Sequence, residues 1–330
     1  MRLAAYNVEW FASLFDDEDL LIEDDSWSGR HNVTKAQQLQ ALGTVFQRLD
    51  ADAVMIIEAP NTGKQQDTVR ALRRFAERFG LRAHEAVIGF ANETQQEIAL
   101  LFDPAQMQVV HDPQTSAEAP RFDEVLKIDL DIDAQQDKVV FSKPPLELAL
   151  VTQSGTALRL IGVHLKSKAP HGERTRDGQI RRSIANRRKQ LAQAIWLRRR
   201  VESHLARDEA LIVLGDLNDG PGLDEYEYLF GRSSVEIVLG DEMTDPHARR
   251  LLKRHKGVIQ TTARFYDRSE KRYFQALLDY VMICPQLMNR RPDWRIWHPF
   301  DDAECWRDAT LRSALLTSSD HFPVTLDLEI

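Results

Sequence analysis

The chain is short of cysteine and of long apolar runs, and it has an excess of acid over base. Only two cysteines occur in 330 residues, and the separation of Cys284 from Cys305 matches no zinc or redox motif. A disulfide scaffold, a cysteine-ligated zinc module and a CxxC oxidoreductase are thereby excluded. The two thiols read as buried or inert ones of a reducing compartment. No run of ~18 apolar residues is present, which excludes a membrane-spanning helix. The opening Arg2-Leu3-Ala4-Ala5-Tyr6-Asn7-Val8 is too polar and too short for a signal peptide, so a cytoplasmic location is expected. Acids outnumber Lys plus Arg by 51 to 43, for a formal net charge of −8. Internal repeats, low-complexity segments, linkers, helix-turn-helix patterns and zinc fingers are all missing. A single domain over residues 1–330 is expected, with no sequence-specific DNA readout.

What is present is a series of short apolar runs, each ending in a polar residue. Arg2 to Val8 reads as a first strand and delivers Asn7. Ala53 to Ile57 is apolar throughout, as expected of a strand buried on both faces, and delivers Glu58. Further strands are expected over residues 82–88, 98–102, 107–111, 125–130, 146–151 and 157–163, the last delivering His164-Leu165-Lys166-Ser167-Lys168. Leu211 to Leu214 delivers Gly215-Asp216-Leu217-Asn218, residues 277–284 carry Asp279-Tyr280, and residues 322–330 close the fold. Helices are expected over 34–49, with Leu39, Leu42, Val45, Phe46 and Leu49 on one stripe, and over 68–79 and 179–205. The acidic stretch Asp16 to Asp25 reads as a solvated loop, with a flap over the site as the alternative.

Cutting a phosphoester needs a nucleophile, charge stabilisation on the phosphoryl oxygens and help for the leaving group. Mg²⁺ takes hard oxygen ligands, so Glu58 is the leading candidate ligand, joined by Asn7 and Asp320. His321 titrates close to neutrality and is the candidate base or transition-state hydrogen bonder. Asp279 is the candidate acceptor that fixes its tautomer. His164, with Lys166 behind it, is a candidate phosphate donor. Asp216 can orient or deprotonate water, and Asn218 can bind phosphate. The other eight histidines fall in no such context.

Six segments carry a resemblance: Asn7-Val8-Glu9, Ile56-Ile57-Glu58, His164-Leu165-Lys166-Ser167, Gly215-Asp216-Leu217-Asn218, Leu278-Asp279-Tyr280 and Ser319-Asp320-His321-Phe322-Pro323-Val324. In this order they resemble the endonuclease/exonuclease/phosphatase superfamily. The resemblance implies a DNase I-like four-layer α/β (α+β) sandwich, two packed mixed sheets with helices outside. It also implies a Mg²⁺- or Mn²⁺-dependent phosphoesterase, with Glu58 as principal metal ligand assisted by Asn7 and Asp320. By the same match Asp216 and Asn218 position water and phosphate, His321 acts with Asp279, and His164 binds the scissile phosphate. Ile57 departs from the pattern, since many members carry Gln there.

The segment from His164 to Arg200 holds twelve Lys and Arg residues against Glu173 and Asp177. Such a stripe on an acidic body reads as a phosphate-tracking patch, with a solvated, ion-paired helix as the bland alternative. Lys166, Lys168, Arg174 and Arg176, on the loop that leaves a catalytic strand end, are the candidate substrate contacts. Asp177-Gly178-Gln179 with Asn186 and Arg188 is similar to bacterial extracellular-nuclease-like members. The leading expectation is a nuclease on DNA or RNA. The alternatives are a phosphatase or phosphodiesterase on a small metabolite or lipid head group, with Trp10, Phe11 and Trp27 as pieces of an apolar rim, and a catalytically silent binding module.

Overall fold

The computed structural model describes residues 1–94, 96–129, 136–170, 172–173, 175–220, 230–253, 260–267 and 271–330. Among them, in chain order, the strands are β1 (Arg2–Asn7), β2 (Ala53–Ala59), β3 (Glu85–Ile88), β4 (Glu97–Phe102), β5 (Met107–His111), β6 (Leu126–Ile128), β7 (Asp137–Val139), β8 (Leu146–Thr152), β9 (Ala157–His164), β10 (Leu211–Asp216), β11 (Ala263–Asp267), β12 (Arg272–Ala276), β13 (Asp279–Ile283), β14 (Asp293–Ile296) and β15 (Val324–Asp327). The helices are α1 (Lys35–Leu49), α2 (Thr68–Phe79), α3 (Arg176–Ala206), α4 (Ser234–Leu239), α5 (Pro246–Leu252), α6 (Ala303–Arg307) and α7 (Ala309–Ser318).

Six strands form one mixed sheet, ordered β14-β15-β1-β2-β4-β3, and five form another, ordered β13-β10-β9-β8-β5. The period of two in the strands explains how both faces of the first sheet are buried. Leu3, Ala5, Met55 and Ile57 meet the second sheet, where Leu148, Leu160 and Ile212 lie on the face that Gly162 presents to Met55. Ala4, Tyr6, Val54 and Ile56 join a second cluster with Leu42 and Phe46 of α1, Phe75 of α2 and Leu315 of α7. α3 lays Trp196, Leu197 and Val201 on the other sheet. The result is helices, sheet, sheet, helices, the four-layer sandwich expected from the sequence. The sheets come close at Gly162, where a Cβ would lie 2.4 Å from Met55 Sδ.

Local chemistry sets the helix ends. Thr34 and Gln37 form a reciprocal capping box on α1, and Asp67 caps α2, which stops at Gly80 in the left-handed region, φ 61°. The expected α1 and α2 agree with the structure to within a residue. The closing strand is shorter than expected: Phe322 and Pro323 precede β15, which begins at Val324. The acidic loop is no flap. Asp19 is buried and accepts from Arg70 Nε at 2.6 Å, and Glu23 pairs with Arg78, so the loop is fastened to α2. Phe11 is no rim residue either, because its ring packs edge-on against Phe75 inside the core. Cys284 and Cys305 are both buried and unbridged. Among the described residues no helix is long and apolar enough to cross a membrane.

Candidate active site

Strand register brings the candidate residues together. β1 and β2 run parallel with Asn7 opposite Ile57, so Asn7 and Glu58 emerge at the same edge. β9 and β10 run parallel with Asp216 opposite His164, and β13 runs antiparallel with Asp279 opposite Asp216. β15 runs antiparallel to β1 with Val324 opposite Ala5, which places Asp320 and His321 beside Asn7. All six segments therefore converge at one end of the two sheets, around a cleft of about 790 Å³.

Two backbone distortions aim the side chains. The β2–β4 register shifts between Ile57 and Ala59, and Glu58 sits in this bulge at φ 62°. A bulge turns a side chain away from its sheet face, here into the cleft. Gly215 has φ 130°, and a Cβ there would lie 2.2 Å from the Val163 carbonyl oxygen. Only glycine fits, which is the physical reason for Gly before Asp216.

His321 Nδ1 lies 2.7 Å from Asp279 Oδ2, both side chains being buried. The carboxylate accepts the hydrogen bond of Nδ1–H and leaves Nε2 toward the cleft. Burial alone would lower the imidazole, but Asp279, Asp216 and Asp320 outweigh it and raise His321 well above its ordinary value. Asp216 accepts from the Asn218 backbone at 2.7 Å and from Asn7 Nδ2 at 3.0 Å. Burial, then the nearby Asp279, pushes Asp216 up to about 7, with His321 opposing. Its carboxyl is thus poised near neutral pH. Asn218 spends one amide hydrogen on the Leu165 carbonyl at 3.0 Å, leaving the other for a ligand.

The oxygen-rich side of the cleft holds Glu58, Asp320 and Asn7. Burial raises Glu58, and burial again pushes Asp320 up to about 7; each is raised further by the charge of Glu9. Asn7 Oδ1 is buried with no hydrogen-bond partner. Clustered carboxylates that raise one another, plus an orphaned carbonyl oxygen, fit a hard divalent cation. Glu9 escaped the sequence-based reading, although it stands in the Asn7-Val8-Glu9 segment. Asp216, Asp279 and His321 also offer donor atoms within 4.8 Å of one another. That set includes an imidazole already hydrogen-bonded through Nδ1, which suits proton handling better than Mg²⁺.

Lys143 was also missed. Its Nζ lies 3.2 Å from His164 Nδ1 and 3.3 Å from Nε2, within the cleft lining. Ammonium only donates, so His164 accepts, and burial followed by Lys143 holds His164 well below its ordinary value. Burial also lowers Lys143, against the pull of Glu58 and Asp216. His164 Nε2 stands 3.9 Å from Glu58 and 3.8 Å from Asp216, too far for hydrogen bonds.

The basic stripe does not survive as one surface. Arg187 and Arg200 are buried, paired at 2.7 Å with Asp219 and at 2.6 Å with Glu147. Arg198 pairs with Glu202 and Glu242. Lys166 and Lys168 line the cleft, and Lys168 Nζ contacts the buried Asp219 at 2.7 Å. Arg176 is exposed at the start of α3 and outside the cleft lining. Arg174 lies outside the described residues. α3 meanwhile braces the site loops from below. Gln193 Oε1 accepts from the Lys166 backbone, and Gln190 Nε2 donates to the carbonyls of Leu217 and Asn218.

A four-layer sandwich with a His–Asp pair, a near-neutral carboxyl and an acidic oxygen cluster at its strand ends defines a phosphoester hydrolase with the DNase I-like fold. The chain belongs to the Endonuclease/Exonuclease/phosphatase family, which it matches over residues 4–321. Among solved structures, truncated TDP2 of Caenorhabditis elegans is 13% identical with a TM-score of 0.51, over 98% of this chain and 96% of that one. The 3′ phosphatase NExo from Neisseria, solved bound to a product DNA hairpin, is 14% identical with a TM-score of 0.51, over 100% of both chains. A humanized TDP2 of D. rerio is 13% identical with a TM-score of 0.50, over 99% of this chain and 97% of that one. At these identities the likeness is one of fold. No curated protein matches the chain in sequence.

Proposed function

We propose that the protein is a divalent-metal-dependent phosphodiesterase acting on DNA or RNA with little sequence specificity, its 1–330 chain working as one domain. The observation that carries this reading is the register-driven meeting of the Asp279–His321 pair and Asp216 with the oxygen cluster of Glu58, Asp320 and Asn7. Glu58, Asp320 and Asn7, with Glu9 beside them, would hold Mg²⁺ or Mn²⁺. The bound cation would supply charge neutralisation on the phosphoryl oxygens.

The opposite surroundings of His321 and Asp216 divide the proton work. His321, held protonated by Asp279, donates from Nε2 to a phosphoryl oxygen. Asp216, near 7, orients the attacking water and takes its proton as the water oxygen bonds to phosphorus and the P–O bond to the leaving oxygen breaks, that oxygen taking its proton from solvent. Lys143, Lys166 and the free amide hydrogen of Asn218 face the phosphate. The family's nucleases and the DNA-bound NExo support nucleic acid as the substrate, and contacts to a phosphate backbone make activity salt-sensitive. A small phosphorylated metabolite or lipid head group is the second reading, favoured by the burial of Arg187 and Arg200, which interrupts the basic stripe of α3.

The test is hydrolysis of plasmid DNA, RNA and bis-p-nitrophenyl phosphate with Mg²⁺, Mn²⁺ or EDTA by wild type, His321→Ala and Asp216→Ala. Nucleic-acid cleavage lost on chelation and in both variants is expected. Cleavage of the small ester alone selects the second reading, and near-native activity in either variant removes the site assignment.

A further inference from the structure

The two walls of the cleft differ in chemistry. One carries Lys143 and Lys166, with Lys168 beside them already paired to Asp219; the other carries the rings of Trp10, Phe265 and Phe274. The second wall comes from the β11–β12 hairpin, which no apolar run announced. Ala263 bridges to His321, Arg264 N–H donates to the Asp320 carbonyl at 2.7 Å, and Phe322 N–H donates to the Thr262 carbonyl at 2.6 Å. The hairpin is therefore bonded to the segment that holds Asp320 and His321.

Its register puts Phe265 opposite Phe274, on the face shared with Ala276 that lines the cleft. The alternate residues Tyr266 and Tyr273 point the other way, with Arg264 stacked over Tyr273. Phe265 packs edge-on against the His321 ring, centroids 5.5 Å apart. Phe274 is next to it in the pair and 48% exposed.

Trp10 completes the wall at 51% exposure, yet it is not loose. Its Nε1 donates to Glu9 Oε1 at 3.0 Å, and Glu9 pairs with Arg30. One part of its ring lies on Gly29, where a Cβ would come within 2.8 Å of Trp10 Cγ. An exposed aromatic ring fixed in this way loses little entropy when a flat partner covers it.

We propose that Trp10 and Phe274 form a base-stacking subsite beside the reacting phosphate, so that the preferred substrate is single-stranded nucleic acid or an unpaired end, not continuous duplex. The inference rests on the nuclease reading above. Every base has a π-face, so such a wall binds without reading sequence, and the cationic wall opposite takes the phosphates. A base inside a duplex has both faces covered by its neighbours and cannot use the wall. An acyl chain is the poorer occupant, because the rings line the cleft, with Phe265, the partner of Phe274, packed on the His321 ring.

The experiment is fluorescence anisotropy in EDTA with a labelled 12-nucleotide single strand, the same sequence as duplex, and a base-free oligomer of tetrahydrofuran residues. Wild type is expected to bind the single strand at least about 5-fold tighter than either of the others. Phe274→Ala should weaken single-strand binding by about 5- to 150-fold. Removing the ring and removing the bases should not add, since both delete the same contact. Phe274→Leu, apolar but without a π-face, should recover little. Equal affinity for duplex, or additive losses, overturns the subsite while leaving the nuclease reading intact. If Mn²⁺-loaded enzyme cleaves no nucleic acid but cleaves phosphoinositide vesicles, both readings fall and the rings become a lipid contact.

Discussion

Replacing Asp279 by Asn tests the central pair most directly. The exchange keeps size and leaves an amide oxygen to accept the His321 Nδ1 proton, but removes the carboxylate 2.7 Å away. A hydrogen bond between charged partners contributes about 1.5–3 kcal/mol and a neutral one about 0.5–1.5, so the variant loses about 1–2 kcal/mol. With ~2.1 cal/mol/K per residue over 330 residues, the unfolding entropy is about 0.7 kcal/mol/K, and Tm falls by about 1.5–3 °C. The loss has a pH signature. The folded pKa of His321 lies above its unfolded value, so its stabilisation is complete below about 6.5 and fades as pH rises through the folded pKa. The Tm gap between wild type and variant should therefore be widest at pH 6 and narrow on the alkaline side. Catalysis should drop about 10²- to 10⁴-fold in kcat, the range of a positioned proton donor. The assays are differential scanning calorimetry across pH and metal-saturated hydrolysis. A Tm gap that widens with pH, or a kcat within 3-fold of wild type, would refute the reasoning.

Glu58→Gln should lose most of the thermal stabilisation that Mn²⁺ confers, which for wild type at 100 times Kd is about 2.7 kcal/mol, or about 4 °C for a chain of 330 residues; an unchanged shift by scanning fluorimetry removes Glu58 from the metal site. Gly215→Ala must force a Cβ to within 2.2 Å of the Val163 carbonyl at φ 130°, and backbone strain plus overpacking should cost about 2–6 kcal/mol in urea unfolding. Arg200→Ala strands the buried Glu147 and should cost about 3–5 kcal/mol, whereas Arg200→Met combined with Glu147→Leu should recover most of it in the same assay.

The sequence was most legible where one strand serves two layers. Ala53 to Ile57 is apolar at every position because Met55 and Ile57 meet the second sheet while Val54 and Ile56 meet helices, so the Glu at its end stood out. Asp216 stood out for the same reason. Lys143 did not, because it sits on a Ser-Lys-Pro-Pro turn and reaches His164 only through tertiary packing. The basic stripe misled by a different route. Basic residues are dense along this segment, but Arg187, Gln190, Gln193, Arg200 and His204 recur at helical spacing and are buried polar groups. A buried Arg with a carboxylate partner leaves no local signal, since Asp219 and Glu147 lie far away in sequence. The β11–β12 hairpin was lost because its cleft-facing phenylalanines alternate with residues of the opposite face over only five positions per strand.

The interleaving of the two sheets along the chain bears on how such an enzyme is made. The first sheet takes β1 to β4 and then waits for β14 and β15, while the second is built entirely from the residues between. Asp320 and His321 follow every other site segment in the chain. During synthesis the ribosome can therefore complete the second sheet, with Asp216 and Asp279 in place, and still hold no working centre. A chain that stops at any point before residue 320 lacks the imidazole, a carboxylate and the β15 strand that borders β1. Under the site assignment proposed above, a chain terminated in this region has no complete centre, so competence comes only once translation has passed residue 321.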